Sequence, residues 1–197
     1  AANWEGGALD AETGIVYIAS INRESNRGLT KPELMRSDMN YVASSGPRTA
    51  SAGDGPRVRG AADENGPQGL PLLRPPWGRI TAIDLNTGEH LWWVPNGNAA
   101  EHVKNHPALK GVDLSQVGHP DQAMLMVTKT LLFGGVGGGM FNGGPGSGSP
   151  MLRVLNKATG ELIHEIELPA GTTSITMTYV VNGRQYIVVA VGSPEHP

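Results

Sequence analysis

His102 and His106 stand four residues apart, the spacing that sets two imidazoles on one helix face and could begin a metal site. Pro107 follows at once, and no third ligand is obvious. His90, His102, His106, His119, His164 and His196 therefore read as solvated strand and loop residues. Glu165 and Glu167 could suggest a glycosidase pair, but nothing supplies the partner geometry, and they read as a solvated strand face. Gly134–Gly148, GGVGGGMFNGGPGSG, resembles a phosphate loop only in its glycines. It lacks the closing Gly-Lys-Ser/Thr, and strand-like MLRVLN follows where a helix should start. It fits a flexible hairpin connection better.

Composition narrows the classes. The 197 residues suffice for one domain with a sizeable core, and the formal net charge is −3. There is no basic stripe, so nothing asks for nucleic acid or an anionic membrane surface. No apolar run reaches the roughly 20 residues of a membrane span. With no cysteine, disulfides, thiolate-bound zinc and covalent haem attachment are excluded within this chain. The 28 glycines and 15 prolines mark a turn-rich chain. It opens AANWEGG, without Met, and stops just after the strand-like YIVVAVG. These ends suggest a piece of a larger protein.

The elements that must position any site are strands. Gly14–Ser20, Arg79–Leu85, His90–Pro95, Ala123–Gly135, Met151–Asn156, Leu162–Pro169, Ile175–Val181 and Arg184–Gly192 are short, apolar or β-branched, and bounded by turn residues. Helix signals are weak: Lys31–Ala43 could hold a turn or two, and Asp113–Gly118 a short one. Residues 21–76 have little strand character. They read as a long insertion, either a surface loop or a cover over a site.

Asp84-Leu85-Asn86-Thr87-Gly88 recurs as Asn156-Lys157-Ala158-Thr159-Gly160, with Trp92 matched by His164. A looser copy runs from Asp10 to Thr13-Gly14. The Thr-Gly pairs lie 74 and 72 residues apart. In such a turn the Asp and Thr side chains bond backbone N–H groups, Gly takes the left-handed position, and Trp offers a flat face to a neighbouring sheet. Repeated sheets that cannot bury their own faces stack radially, which predicts an all-β chain of β-propeller blades.

The same residues resemble the tryptophan-docking motif of the quinoprotein dehydrogenases, which use pyrroloquinoline quinone. Further matches lie in order: ANWEGGALDAETGIVYIAS, RPPWGRITAIDLNTGEHLWWVPNG and LPAGTTSITMTYVVNGRQYIVVAVG. The resemblance implies the C-terminal part of an eight-bladed quinoprotein propeller: residues 1–197 as part of one domain, with a loop insertion at about 21–76. Such a chain should not close a ring alone. Its partner would be the remaining N-terminal propeller segment or a companion chain.

The resemblance further implies a periplasmic oxidoreductase that oxidises a sugar, polyol or alcohol by hydride transfer to the quinone, beside Ca²⁺. The Ca²⁺ ligands and the catalytic Asp are expected upstream, so this chain supplies no catalytic residue and no metal ligand. Asn3 and Trp4 would touch the cofactor. Trp77 and Gln122 are candidates for the substrate pocket. Family members that place a Trp against the quinone do so where this chain has His119–Ala123, so Asp121 or Gln122 would face the centre instead. The alternative is a non-enzymatic propeller scaffold with the same docking repeat.

Overall fold

The computed structural model describes residues 6–22, 28–32, 37–44, 67–121, 123–136 and 149–192. The strands are β1 (Gly7–Asp10), β2 (Ile15–Ile21), β3 (Gly28–Thr30), β4 (Val42–Ser44), β5 (Gly78–Asp84), β6 (His90–Pro95), β7 (Ala123–Val127), β8 (Leu131–Val136), β9 (Met151–Asn156), β10 (Leu162–Glu167), β11 (Met177–Val181) and β12 (Arg184–Val188). One short helix, α1 (Glu101–Lys104), follows β6.

Two compact units result, one of Ala1–Arg23 with Arg74–Pro197 and one of Glu24–Leu73. The smaller holds the β3–β4 hairpin and a 3₁₀ turn at Pro67–Gly69. Strand structure is thus present where little was expected. The described part of Lys31–Ala43 is non-helical and ends in β4; residues 33–36 lie outside the described set.

The larger unit holds two four-stranded antiparallel sheets, ordered β1-β2-β5-β6 and β10-β9-β8-β7, and the β11–β12 hairpin. Every neighbouring pair in the two sheets is antiparallel, as expected of up-and-down blades. Two strand expectations need correction. Ala123–Gly135 is not one strand but β7 and β8, because the Thr128 hydroxyl and amide close a turn onto the Leu131 carbonyl. Gly7–Asp10 is a strand that the sequence reading omitted. Asp113–Gly118 forms turns rather than a helix. The Gly-rich connection joins adjacent strands β8 and β9, with residues 137–148 outside the described set.

The repeated turns match atom for atom. The Asn86 N–H donates to Asp84 Oδ1 at 2.8 Å, and the Ala158 N–H donates to Asn156 Oδ1 at 2.9 Å. The Gly88 and Gly160 N–H groups return to the carbonyls of Asp84 and Asn156 at 2.7 and 2.8 Å. Each turn joins the third strand of its sheet to the fourth. The Asp10–Gly14 copy has similar bonding, with Thr13 Oγ1 donating to Asp10 Oδ2 at 2.7 Å, but it joins β1 to β2. Shared turn chemistry, not the phase of the repeat, explains that third copy.

A buried core lies between the sheets. Tyr17, Ile80 and Ala82 meet Leu125, Leu132 and Leu155, with Trp92 and Val94 against them. Each large side chain here contributes about 1.5–3 kcal/mol on burial. Trp92 reaches from β6 to the second sheet: its Nε1–H donates to the Lys157 carbonyl at 3.1 Å, and its ring lies 5.8 Å from that of Tyr17. Lys157 Nζ in turn meets Asp10 Oδ2 at 2.6 Å. This tie between the sheets holds the Asp10 carboxyl down at about 2, with the Lys157 hydrogen bond as its main cause. On the far side of the second sheet, Phe133, Leu152 and Val154 pack with Leu168, Ile187 and Val189. The opposite face of the hairpin leaves Met177, Tyr179, Val181, Tyr186 and Val188 exposed. His164, at the docking position of β10, is exposed on a strand exposed throughout, so no docking contact like that of Trp92 forms there.

Candidate active site

The two sheets converge along β1, β2 and β7, which makes the first strands the inner edge. The chemistry-bearing side chains gather where β7 begins, at the end away from the Thr-Gly turns. Backbone bonds build this corner. The Trp77 N–H donates to the Val117 carbonyl, the Gly118 N–H to Gly97 and the His119 N–H to Asn96, at 2.7, 2.9 and 2.7 Å. Gly78 and Gly118 permit the approach: a Cβ on Gly78 would overlap the His119 carbonyl oxygen, and one on Gly118 would overlap the Gly78 carbonyl oxygen.

His119 is mostly buried here rather than solvated, which corrects the sequence reading. Its Nδ1 lies 3.3 Å from Asp121 Oδ2, and both side chains are less than one-fifth exposed. The pair is close enough for an ion pair but off the line of a hydrogen bond, so Nδ1 has no hydrogen-bond partner. Loss of hydration pushes the imidazole down to about 4, and nearby Arg153, Lys104 and His102 reinforce the shift. A neighbouring carboxylate acts in the opposite direction, but burial and the surrounding cations prevail. His119 is thus neutral near pH 7.

Arg153 is buried on β9, with Nε donating to Glu165 Oε1 at 2.8 Å across the β9–β10 ladder. Glu165 is therefore an ion-pair partner, not only part of a solvated face. Arg153 Nη1 and Asn96 Oδ1 are buried without hydrogen-bond partners. No sequence spacing links Asn96, His119 and Arg153; the antiparallel ladders and the 96–97 and 117–119 backbone contacts bring them near one another.

Asn3, Trp4 and Gln122 lie outside the described residues. Trp77 is 6% exposed, a buried wall of the corner. His102 sits on α1, whereas His106 lies beyond its C-terminus and caps a separate 3₁₀ turn. Among the described residues, no group of three His, Asp or Glu side chains could hold a metal ion. Buried Arg153 Nη1 can donate to a ligand oxygen and buried Asn96 Oδ1 can accept from a ligand hydroxyl, and the described residues hold no complete calcium cage.

The comparisons agree with this architecture. The family described as "PQQ: Glucose/ethanol/alcohol dehydrogenase, beta-propeller domain" matches residues 1–187. Quinoprotein glucose dehydrogenase A of Acinetobacter calcoaceticus is 32% identical over 126 residues, covering 64% of this chain and 14% of that protein. The glycerol dehydrogenase large subunit of Gluconobacter thailandicus is also 32% identical, over 63% of this chain and 15% of its own length. The quinohemoprotein alcohol dehydrogenase of Comamonas testosteroni superposes with a TM-score of 0.53 at 20% identity, over 98% of this chain and 22% of that one. The chain thus spans about one-seventh of the curated relatives it matches. With the family match running through both four-stranded sheets and into the hairpin, the chain belongs to the β-propeller family of PQQ-dependent glucose, ethanol and alcohol dehydrogenases.

Proposed function

We propose that this chain supplies two blades and a further hairpin to a PQQ-dependent dehydrogenase that oxidises a sugar, polyol or alcohol. The match from residue 1 to 187 carries this reading, and the relatives' dehydrogenase names support it over a non-enzymatic scaffold. The remaining blades, the Ca²⁺ ligands and the catalytic Asp belong to the rest of the propeller in this proposal, as a further segment or a companion chain. The resemblance also supports a periplasmic location. Among the described residues, no helix is long and apolar enough to cross a membrane.

A bound quinone would supply a hydride acceptor for oxidation at the carbinol carbon. The role of this chain is to bind and orient. The Asn3 amide would donate to a quinone-edge oxygen without adding charge beside a cation, and Trp4 would pack against the cofactor. Trp77, which is buried, and Gln122 are the candidates for the substrate pocket in this proposal.

Asn3→Ala in the complete propeller is expected to lower quinone-dependent turnover and cofactor affinity, by about 1–3 kcal/mol in all, the cost of an unmade hydrogen bond to a buried acceptor. Asn3→Asp is expected to be worse, because a carboxylate would oppose the quinone oxygens. Dye reduction at saturating quinone and Ca²⁺, with a thermal melt alongside, provides the check. Wild-type activity in both variants would remove Asn3 from the site.

A further inference from the structure

Arg153 links the second sheet to the chain that leaves the first. It stands on β9, paired with Gly134 on one side and Glu165 on the other. Its Nε donates to Glu165 Oε1 at 2.8 Å, and the side chain is buried. The end of the guanidinium lies against Gly97, just beyond β6: a Cβ on that glycine would stand 2.7, 2.9 and 2.9 Å from Nη2, Cζ and Nη1. Gly97 in turn lies among the bonds that build the corner. Its carbonyl accepts from the Gly118 N–H at 2.9 Å, and the Asn96 carbonyl accepts from the His119 N–H at 2.7 Å. The Asn96 N–H donates to the Gly78 carbonyl at 2.9 Å, and the Trp77 N–H donates to Val117 at 2.7 Å. The Asn96–Gly97 pair is thus bonded to both segments of the corner, and the guanidinium bears on that pair from the other sheet.

We infer that Arg153, oriented by Glu165, is a positioning residue of the substrate pocket: packed on Gly97, it sets the 96–97 turn and, through that turn, Trp77 and the 117–119 segment. This rests on the dehydrogenase reading and adds to it a residue that acts from the next sheet. The demand is on shape more than on charge. A planar guanidinium can hold the Glu165 oxygen at Nε while its far end covers Gly97. A lysine ammonium is a single point of charge on a flexible stem; drawn to Glu165, it would leave Gly97 uncovered. Nη1 makes no hydrogen bond, so its hold on the turn is by contact. Precise placement by such a supporting contact matters because a shift of about 1 Å in a group that orients a substrate can cost about 100-fold in rate.

Two variants of the complete protein separate shape from charge. Arg153→Lys keeps the charge and loses the planar group, whereas Glu165→Gln keeps an acceptor for Nε and loses the charge. Dye reduction is measured on the protein loaded with pyrroloquinoline quinone and Ca²⁺, with the best substrate among 1-propanol, glycerol and glucose. Arg153→Lys is expected to raise KM about 10-fold or more while kcat stays within about 3-fold, and Glu165→Gln to change both by less than about 3-fold. The corner is also read without turnover, by hydrogen–deuterium exchange of the quinone-free protein. Peptides covering residues 117–119 should exchange about 10-fold faster in Arg153→Lys, with residues 84–88 unchanged, and at the wild-type rate in Glu165→Gln. If Arg153→Lys does not fold, Glu165→Ala, which removes the orienting acceptor, is expected to show the same KM and exchange changes. Unchanged KM and exchange in the folded variant would overturn the inference while leaving the dehydrogenase reading intact. So would faster exchange at both segments, or a larger loss in Glu165→Gln than in Arg153→Lys, each of which marks an ion pair that serves stability alone. Absence of quinone-dependent turnover in the wild type would overturn both.

Discussion

Trp92→Ala is expected to destabilise the complete propeller by about 3–5 kcal/mol, the range for removing a packed Trp. The indole spans two sheets, contacts Tyr17 and donates to the Lys157 carbonyl. It also lies over Gly160, where an added Cβ would stand 2.7 Å from Cε3 and 2.9 Å from Cζ3. Gly160→Ala is therefore expected to be costly twice over, through its φ of +75° and through the collision with the ring. The left-handed conformation alone accounts for about 1–2 kcal/mol. In the Trp92→Ala background the collision with the ring disappears, and only that part and a close contact with Val94 Cγ1, at 2.9 Å, should remain. His164→Ala, at the equivalent but exposed position of β10, should cost much less. Denaturant melts of the four variants measure this. Additive costs for Trp92→Ala and Gly160→Ala, or equal costs for Trp92→Ala and His164→Ala, would contradict the docking geometry.

Acidification is the second large effect. His119 titrates at about 4 in the folded chain against 6.5 ordinarily, so between those values the unfolded chain holds the extra proton. Stability therefore falls as pH drops from about 6.5 to 4, by about 3 kcal/mol for a shift of this size. Arg153, Lys104 and His102 oppose protonation, while Glu101 favours it. The Asp10 carboxylate acts in a lower window. Its folded value of about 2 against 3.8 means that its stabilisation is complete above about pH 4 and is lost on falling through 2. The loss between pH 7 and 4.5 should thus belong mainly to His119. Denaturant midpoints at those two pH values should converge for His119→Gln and diverge for the wild type. Parallel losses would show that His119 is not held neutral by burial.

The repeat and its turns were legible in the sequence because Asp/Asn, Thr and Gly act locally: each bonds its own backbone, so a strand-turn-strand unit announces itself. Trp92 was legible for the same reason, at a fixed distance from its turn. Beta-strands β7 and β8 merged because Thr128-Lys129-Thr130 closes its turn through a hydroxyl and carries no Gly, Asn or Pro. Gly7–Asp10 was missed because four residues show little alternation. The corner of His119 and Arg153 was invisible because its members lie on separate segments, joined by ladder register and by the close approach of Gly78 and Gly118. His119 in particular sits in a stretch that resembles an ordinary loop, and only folding buries it.

The central claim is that this chain forms part of a quinone-dependent dehydrogenase. Its most direct test is an activity titration of the complete, quinone-free protein with pyrroloquinoline quinone in the presence of Ca²⁺, with dye reduction followed on a sugar, polyol and alcohol panel. The account predicts activity that is absent without the quinone, rises saturably as it is added and requires one of these substrates. A folded, complete protein that binds no quinone and reduces no dye with any of them would contradict it.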